Sequence, residues 1–111
     1  MGGVQYLGEF EQIVLLAILR MGDDAYGVTI GAEIRQQTAR APAAGALYTT
    51  LDRLEEKGLV SSAMGDPTPQ RGGRAKRFFK VTSTGMQALT QGLRSYQNLT
   101  RGLQLPGLEH A

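Results

Sequence analysis

A chain of 111 residues, 41% of them hydrophobic, can bury one modest core and is too short for two ordinary domains. It has no cysteine, which excludes a disulfide framework, a thiolate metal site and a catalytic thiol. The net charge of +2 is small, yet Arg71, Arg74, Lys76, Arg77 and Lys80 share one stretch free of acids, so positive charge is concentrated locally.

Leu7, Phe10, Val14, Ala17, Ile18 and Met21 recur at helical spacing and predict a first helix over residues 7–21. The apolar run Ile13–Leu19 leaves that helix half without a polar face, so its own domain or a partner subunit must cover it. The run is far shorter than the roughly 20 residues that a membrane-spanning helix needs. No cationic start followed by a small-residue cleavage site marks a secretory signal near Met1. A soluble, cytoplasmic chain without a membrane partner is therefore expected.

Gly22-Asp23-Asp24 interrupts the pattern, and a second helix follows over Tyr26–Thr38 with Ile30 and Ile34 on one face. Gly27 and Gly31 lower its intrinsic propensity by up to about 1 kcal/mol each, so tertiary packing must hold it. Arg40-Ala41-Pro42 marks a turn into a third helix that runs to about Lys57. Its buried stripe is Leu47, Leu51 and Leu54, and Gly58 supplies the left-handed residue that closes it.

Leu59–Met64 predicts a strand, the Gly- and Pro-rich segment after it a long hairpin tip, and Arg77–Val81 the returning strand. Thr82 suits a helix N-cap, after which Met86, Leu89, Leu93, Tyr96, Thr100 and Leu103 follow at spacings of three and four. Pro106-Gly107 is expected to end this fourth helix. So long a stripe exceeds what one small domain requires and suggests pairing with the same helix of a second copy. Met86, Leu89, Leu93, Tyr96 and Leu103 are the expected homodimer contacts.

The element order gives the fold class: α+β, mostly α, a winged helix-turn-helix with a C-terminal dimerisation helix. Residues 1–81 form the expected DNA-binding part and residues 82–111 the dimerisation helix and tail, as one structural unit. In such an arrangement the third helix enters the major groove of double-stranded DNA by its N-terminal residues. Gly45, Tyr48, Thr49, Asp52, Arg53 and Glu56 point away from the leucine stripe. Ala43, Ala44 and Gly45 permit close approach, Tyr48 and Thr49 offer hydroxyls, and Arg53 can fork onto guanine or phosphate. Asp52 and Glu56 oppose insertion of the C-terminal half, because carboxylates near phosphates are repelled. Arg71, Arg74, Lys76 and Arg77 make a cationic wing suited to the backbone or minor groove.

The string Gly45-Ala46-Leu47-Tyr48-Thr49-Thr50-Leu51-Asp52-Arg53-Leu54-Glu55-Glu56-Lys57-Gly58-Leu59-Val60 resembles the PadR family's pattern of Leu-Tyr, Leu, Arg-Leu-Glu and Gly-Leu. Gly73-Arg74-Ala75-Lys76-Arg77-Phe78-Phe79-Lys80-Val81-Thr82-Ser83-Thr84-Gly85 is similar to its basic wing and Thr-x-x-Gly helix start, and Tyr26-Gly27 with Ile30 to its second-helix entry. The resemblance covers nearly the whole chain and implies a homodimeric, repressor-like regulator of the subfamily with a single C-terminal helix. It also implies that any effector site lies in the dimer core, and the aromatic and methionine content around the expected interface, including Phe10, Met86 and Tyr96, suggests a small apolar ligand there. Thr49 stands where the family usually has proline, Ala44 where a small hydroxyl is common, and Phe78-Phe79 where tyrosines are usual.

No catalytic constellation stands against this reading. The sole histidine, His110, lies beside the last residue, Glu55 and Glu56 are adjacent and diverge on a helix, and no phosphate loop or nucleophile motif is present. Neither cofactor nor metal is expected. The alternative is a winged-helix protein–protein interaction module, which the cationic wing disfavours.

Overall fold

The computed structural model describes residues 6–65 and 75–108. Helix α1 spans Glu9–Met21 and not Leu7 onward, because Gly8 is extended and its N–H donates to the Glu11 carboxylate at 2.8 Å. Glu9 and Glu11 also place negative charge at the positive end of the helix. Val14, Leu15, Ala17 and Ile18 face inward. A single 3-10 turn, Gly22–Asp24, follows, with Gly22 at φ 57°.

Helix α2, Gly27–Gln37, starts where the Thr29 hydroxyl accepts the Tyr26 N–H at 3.0 Å. It buries Gly27, Ile30, Gly31 and Ile34. Helix α3, Ala44–Glu56, buries Leu47, Leu51 and Leu54 as the leucine spacing predicts, and Thr50 beside them. Pro42 falls just before the N-cap Ala43, outside the first turn. At the other end Gly58 adopts φ 76°; the Leu59 N–H donates to the Leu54 carbonyl and the Gly58 N–H to the Glu55 carbonyl, both at 2.9 Å. This satisfies carbonyls that the helix end would otherwise leave open, and directs Leu59 back into the core.

Strands β1, Val60–Met64, and β2, Arg77–Val81, pair antiparallel, with Val60 opposite Val81 and Met64 opposite Arg77. The Phe79 N–H donates to the Ala25 carbonyl at 2.8 Å, and Tyr26 bridges to Phe78, so the start of α2 is stitched to the outer side of β2. Helix α4, Ser83–Thr100, opens under the predicted cap: the Thr82 hydroxyl accepts the Gly85 N–H at 3.0 Å and donates to the Gly58 carbonyl at 2.7 Å.

One core collects Val14, Leu15, Ile18, Ile30, Ile34, Leu47, Leu51, Leu54, Leu59, Phe79 and Leu89. This is the winged-helix arrangement, mostly helical with a small antiparallel sheet and a C-terminal helix. Two expectations about α4 need correction. Leu89 is not on a free face: it is 2% exposed, sealed in the core that α4 shares with the rest of the chain. The helix also stops at Thr100, six residues before Pro106, with Gly102 at φ 79°; Leu103 thus lies beyond it, 53% exposed, and does not extend its stripe.

Candidate nucleic-acid interface

Helix α3 presents Ala43, Ala44, Gly45, Tyr48, Thr49 and Arg53 to solvent. Four-residue spacing sorts its outer surface into two rows. Tyr48 and Asp52 lead toward the loop-side end of the strand pair, where Asp52 meets Arg77. Thr49, Arg53 and Lys57 lead toward the start of α1, where Lys57 donates to Glu11 at 2.8 Å. Burial would raise the Glu11 carboxyl, but hydrogen bonds from Lys57 and the Gly8 N–H and the charges of Lys57 and Arg53 hold it below its ordinary value.

Tyr48 is positioned by a glycine. Its phenol lies against Gly27 so closely that a Cβ there would stand 3.0 Å from ring atom Cε1, with Cζ and the hydroxyl nearer still. Residue 27 must lack a side chain for the first turn of α2 and the ring on α3 to share that space. One residue earlier, Tyr26 packs edge-on against Phe78, with ring centroids 5.5 Å apart. The Lys76 ammonium sits 4.4 Å from the Tyr26 ring centroid and donates to its hydroxyl at 3.3 Å. Tyr48, Gly27, Tyr26 and Lys76 therefore form one continuous strip from α3, across the first turn of α2, to the hairpin. Tyr26 and Gly27 were not among the sequence candidates; the signal for them was a tyrosine-glycine pair at a helix start.

The four wing cations do not behave alike. Arg71 and Arg74 lie outside the described residues. Lys76 is exposed, on Tyr26. Arg77, expected to be a free phosphate contact, is instead bound to the protein's own acids: it pairs with Asp52 at 3.0 Å and with Glu55, and its guanidinium lies 4.8 Å from the Phe79 ring centroid. Burial would lower its pKa, but the hydrogen bonds to Asp52 and Glu55 together with the charges of both carboxylates raise it. Hydrogen bonds from Ser62 and then Arg77 hold the Glu55 carboxyl below its ordinary value.

A second surface runs along α4 and α1. Met86, Tyr96 and Leu99 are exposed, Leu99 at 75%, and so are Leu16 and Leu19 of α1. Leu93 is partly buried against the core. Leu7, Gln12, Gly92, Tyr96 and Leu99 line a groove of about 380 Å³ between the start of α1 and α4. Leu99 was not among the expected contact residues, whereas Leu16 and Leu19 belong to the α1 run for which cover by the domain or a partner was expected. Among the described residues no helix is long and apolar enough to cross a membrane, and no cluster of acids or histidine is arranged to hold a metal ion.

A helix-turn-helix whose third helix is bare at its N-terminal half, flanked by a hairpin, defines the winged-helix regulators. Residues 15–91 match the model of the transcriptional regulator PadR-like family, and the chain belongs to that family. It is 34% identical over 90 residues to transcriptional regulator Rv3488 of Mycobacterium tuberculosis, covering 79% of this chain and 77% of the relative. In fold it is similar to a PadR family transcription regulator from Clostridium difficile R20291, with TM-score 0.68 and 23% identity over 83% of this chain and 92% of that one. It is also similar to RosR of H. salinarum, with TM-score 0.69 and 22% identity over 92% and 84% of the two chains. The chain is thus a PadR-like transcriptional regulator and not an enzyme.

Proposed function

We propose that this regulator binds DNA sequence-specifically as a homodimer and represses transcription from an inverted-repeat operator. Helix α3 enters the major groove by Ala43–Thr49, with Arg53 reaching a base or phosphate at the edge of the contact. The hairpin lies on the backbone or minor groove. The observation that carries this reading is the strip of Tyr48, Gly27, Tyr26 and Lys76. It aligns two phenols, the N-terminal turn of a helix and an ammonium beside the most exposed part of α3, a set of groups that contacts phosphate and sugar while small residues approach base edges.

The homodimer is supported by the apolar surface left on α4 and α1, with Met86, Leu93, Tyr96 and Leu99 as its α4 contacts. Two-fold pairing would set half-sites roughly 34 Å apart. A small apolar effector would bind in the groove bounded by Tyr96 and Leu99, coupling to DNA only if it prefers one separation of the two reading heads.

Binding is tested on fragments of the region upstream of the chain's own gene, titrated with salt against scrambled competitor. Saturable binding that survives competitor and falls steeply with salt is expected; equal affinity for scrambled DNA overturns the sequence-specific reading. Sedimentation at micromolar concentration is expected to show a dimer, and a monomer overturns the assembly.

A further inference from the structure

Arg77 is the first residue of β2, immediately after Lys76, at the point where β2 takes up its pairing with β1. Its donors are committed to three groups from two other elements. Nη1 donates to the Asp52 carboxylate at 3.0 Å and Nη2 to the Glu55 carboxylate, both on α3. Nε donates to the Ser62 hydroxyl of β1 at 3.2 Å, and that hydroxyl donates to Glu55 at 2.8 Å. The Phe79 ring of β2 lies beside the guanidinium.

An isolated surface ion pair contributes almost nothing to stability. This one differs because a planar fork meets two carboxylates and a hydroxyl at once, which fixes direction as well as distance. Its charge balance is also decisive. One guanidinium against two carboxylates leaves a net negative cluster, so a phosphate approaching Arg77 meets Asp52 and Glu55 at nearly the same range.

We propose that Arg77 is a positioning residue for DNA binding: it fastens the hairpin to the reading helix, so that Lys76 and α3 meet one duplex at a set separation, and it holds no phosphate itself. This inference rests on the DNA-binding reading above. It reverses the role that a basic run ordinarily implies, and it gives the acids on α3 a purpose. They are the anchor points of the hairpin, one helical turn past the residues that probe the groove.

The test uses the full chain and whichever upstream fragment the wild type binds, with affinity measured across a salt series. The double variant Asp52→Asn/Glu55→Gln keeps shape and one accepting oxygen on each side chain but removes both charges. If the acids anchor Arg77, DNA binding weakens roughly five- to tenfold although two negative charges have been removed. If they merely hold back a phosphate ligand, freeing Arg77 tightens binding, and the proposal is overturned. Arg77→Lys keeps the charge and loses the fork, so it is expected to weaken binding as much as Arg77→Ala; full rescue by lysine overturns the proposal. In neither arginine variant should the slope of log affinity against log salt change, whereas loss of a phosphate contact lowers it by about 0.9. Arg77→Ala should add little in the Asp52→Asn/Glu55→Gln background, and additive losses count against the anchor. Thermal melting of every variant confirms folding, and the charge-neutral, nearly isosteric pair serves if the arginine variants unfold. A wild type that binds no DNA overturns the DNA reading and the anchor together; a wild type that binds, with the double variant binding more tightly, overturns the anchor alone.

Discussion

Replacing Gly27 with alanine separates the placement of Tyr48 from the stability of the fold. The new methyl carbon would stand 3.0 Å from Tyr48 Cε1 and closer to Cζ and the hydroxyl, so the ring must retreat by more than about 1 Å to reach ordinary contact. It has somewhere to go, because Tyr48 is already 42% exposed. A tyrosine buries about 150–250 Å², so giving up the whole of its covered part would cost roughly 2–4 kcal/mol at about 25 cal/mol per Å². Alanine regains up to about 1 kcal/mol over glycine in a helix, and residue 27 needs no positive φ. A retreat of about 1–2 Å uncovers only part of that surface, so the net loss of stability is about 1 kcal/mol, while the phenol leaves the strip proposed to carry the DNA contact. DNA affinity is expected to fall about tenfold, the equivalent of 1.4 kcal/mol. The assay is a cycle with Tyr48→Ala, measured by DNA titration and by thermal melting. In the Tyr48→Ala background the methyl meets no ring, so Gly27→Ala should be nearly silent. Equal damage in both backgrounds would mean that α2 itself, not the phenol, suffers from the methyl, and the reasoning would be refuted.

Gly85→Ala should fail in the opposite sense: a Cβ there meets Val81 Cγ1 at 2.8 Å and Leu59 carbonyl carbon at 3.0 Å, with the carbonyl oxygen nearer still. Because backbone cannot swing aside, about 3 kcal/mol of stability is expected to be lost; a melting point lowered by less than about 4 °C would contradict this. Stability should also decline on acidification. Glu11, Glu33 and Glu55 all titrate below their ordinary value of 4.5 in the fold, so their stabilisation is complete above that pH and is lost as pH falls through the depressed values. Glu55→Gln should flatten part of that decline in melts run at low pH, and an unchanged profile would show that Arg77 and Ser62 do not favour the ionised form. Lys76→Ala should reduce the salt slope of DNA binding by about 0.9, and an unaltered slope removes Lys76 from the phosphate contacts.

Local signals carried the fold well. The stripe Leu47, Leu51 and Leu54, the glycine after it and the Thr82 cap are each written within a few residues, and each formed where its own chemistry dictates. What was not legible depends on partners far away in sequence. The α4 stripe reads as one uniform seam, yet Leu89, with Ala88 beside it, is consumed by the chain's own core, while Met86, Tyr96 and Leu99 turn outward. Periodicity reports that a face is apolar and not which surface covers it. Leu103 kept the spacing but followed Arg101-Gly102, whose left-handed glycine had already ended the helix. The cationic run likewise shows no difference between Lys76 and Arg77. Only the fold brings Asp52 and Glu55 to the second and a tyrosine ring to the first.

These placements also answer the difficulty posed by carboxylates on the groove-facing side of α3. Asp52 and Glu55 share the Arg77 guanidinium, which offsets one of their two charges and ties both carboxylates to the hairpin. Glu56 is exposed and has no ion pair among the described residues. A carboxylate about 4 Å from a phosphate oxygen costs roughly 1 kcal/mol even at the dielectric constant of water, and more where water is excluded. On the proposed DNA-binding reading the C-terminal half of α3 would be held off the backbone, while Ala43–Thr49, uncharged throughout, would meet no such penalty. A helix repelled at one end and admitted at the other enters a groove tilted. Such a tilt would bring its N-terminal turn, together with Tyr26 and Lys76 beside it, toward the same stretch of duplex that the small side chains of Ala44 and Gly45 would approach on the proposed reading.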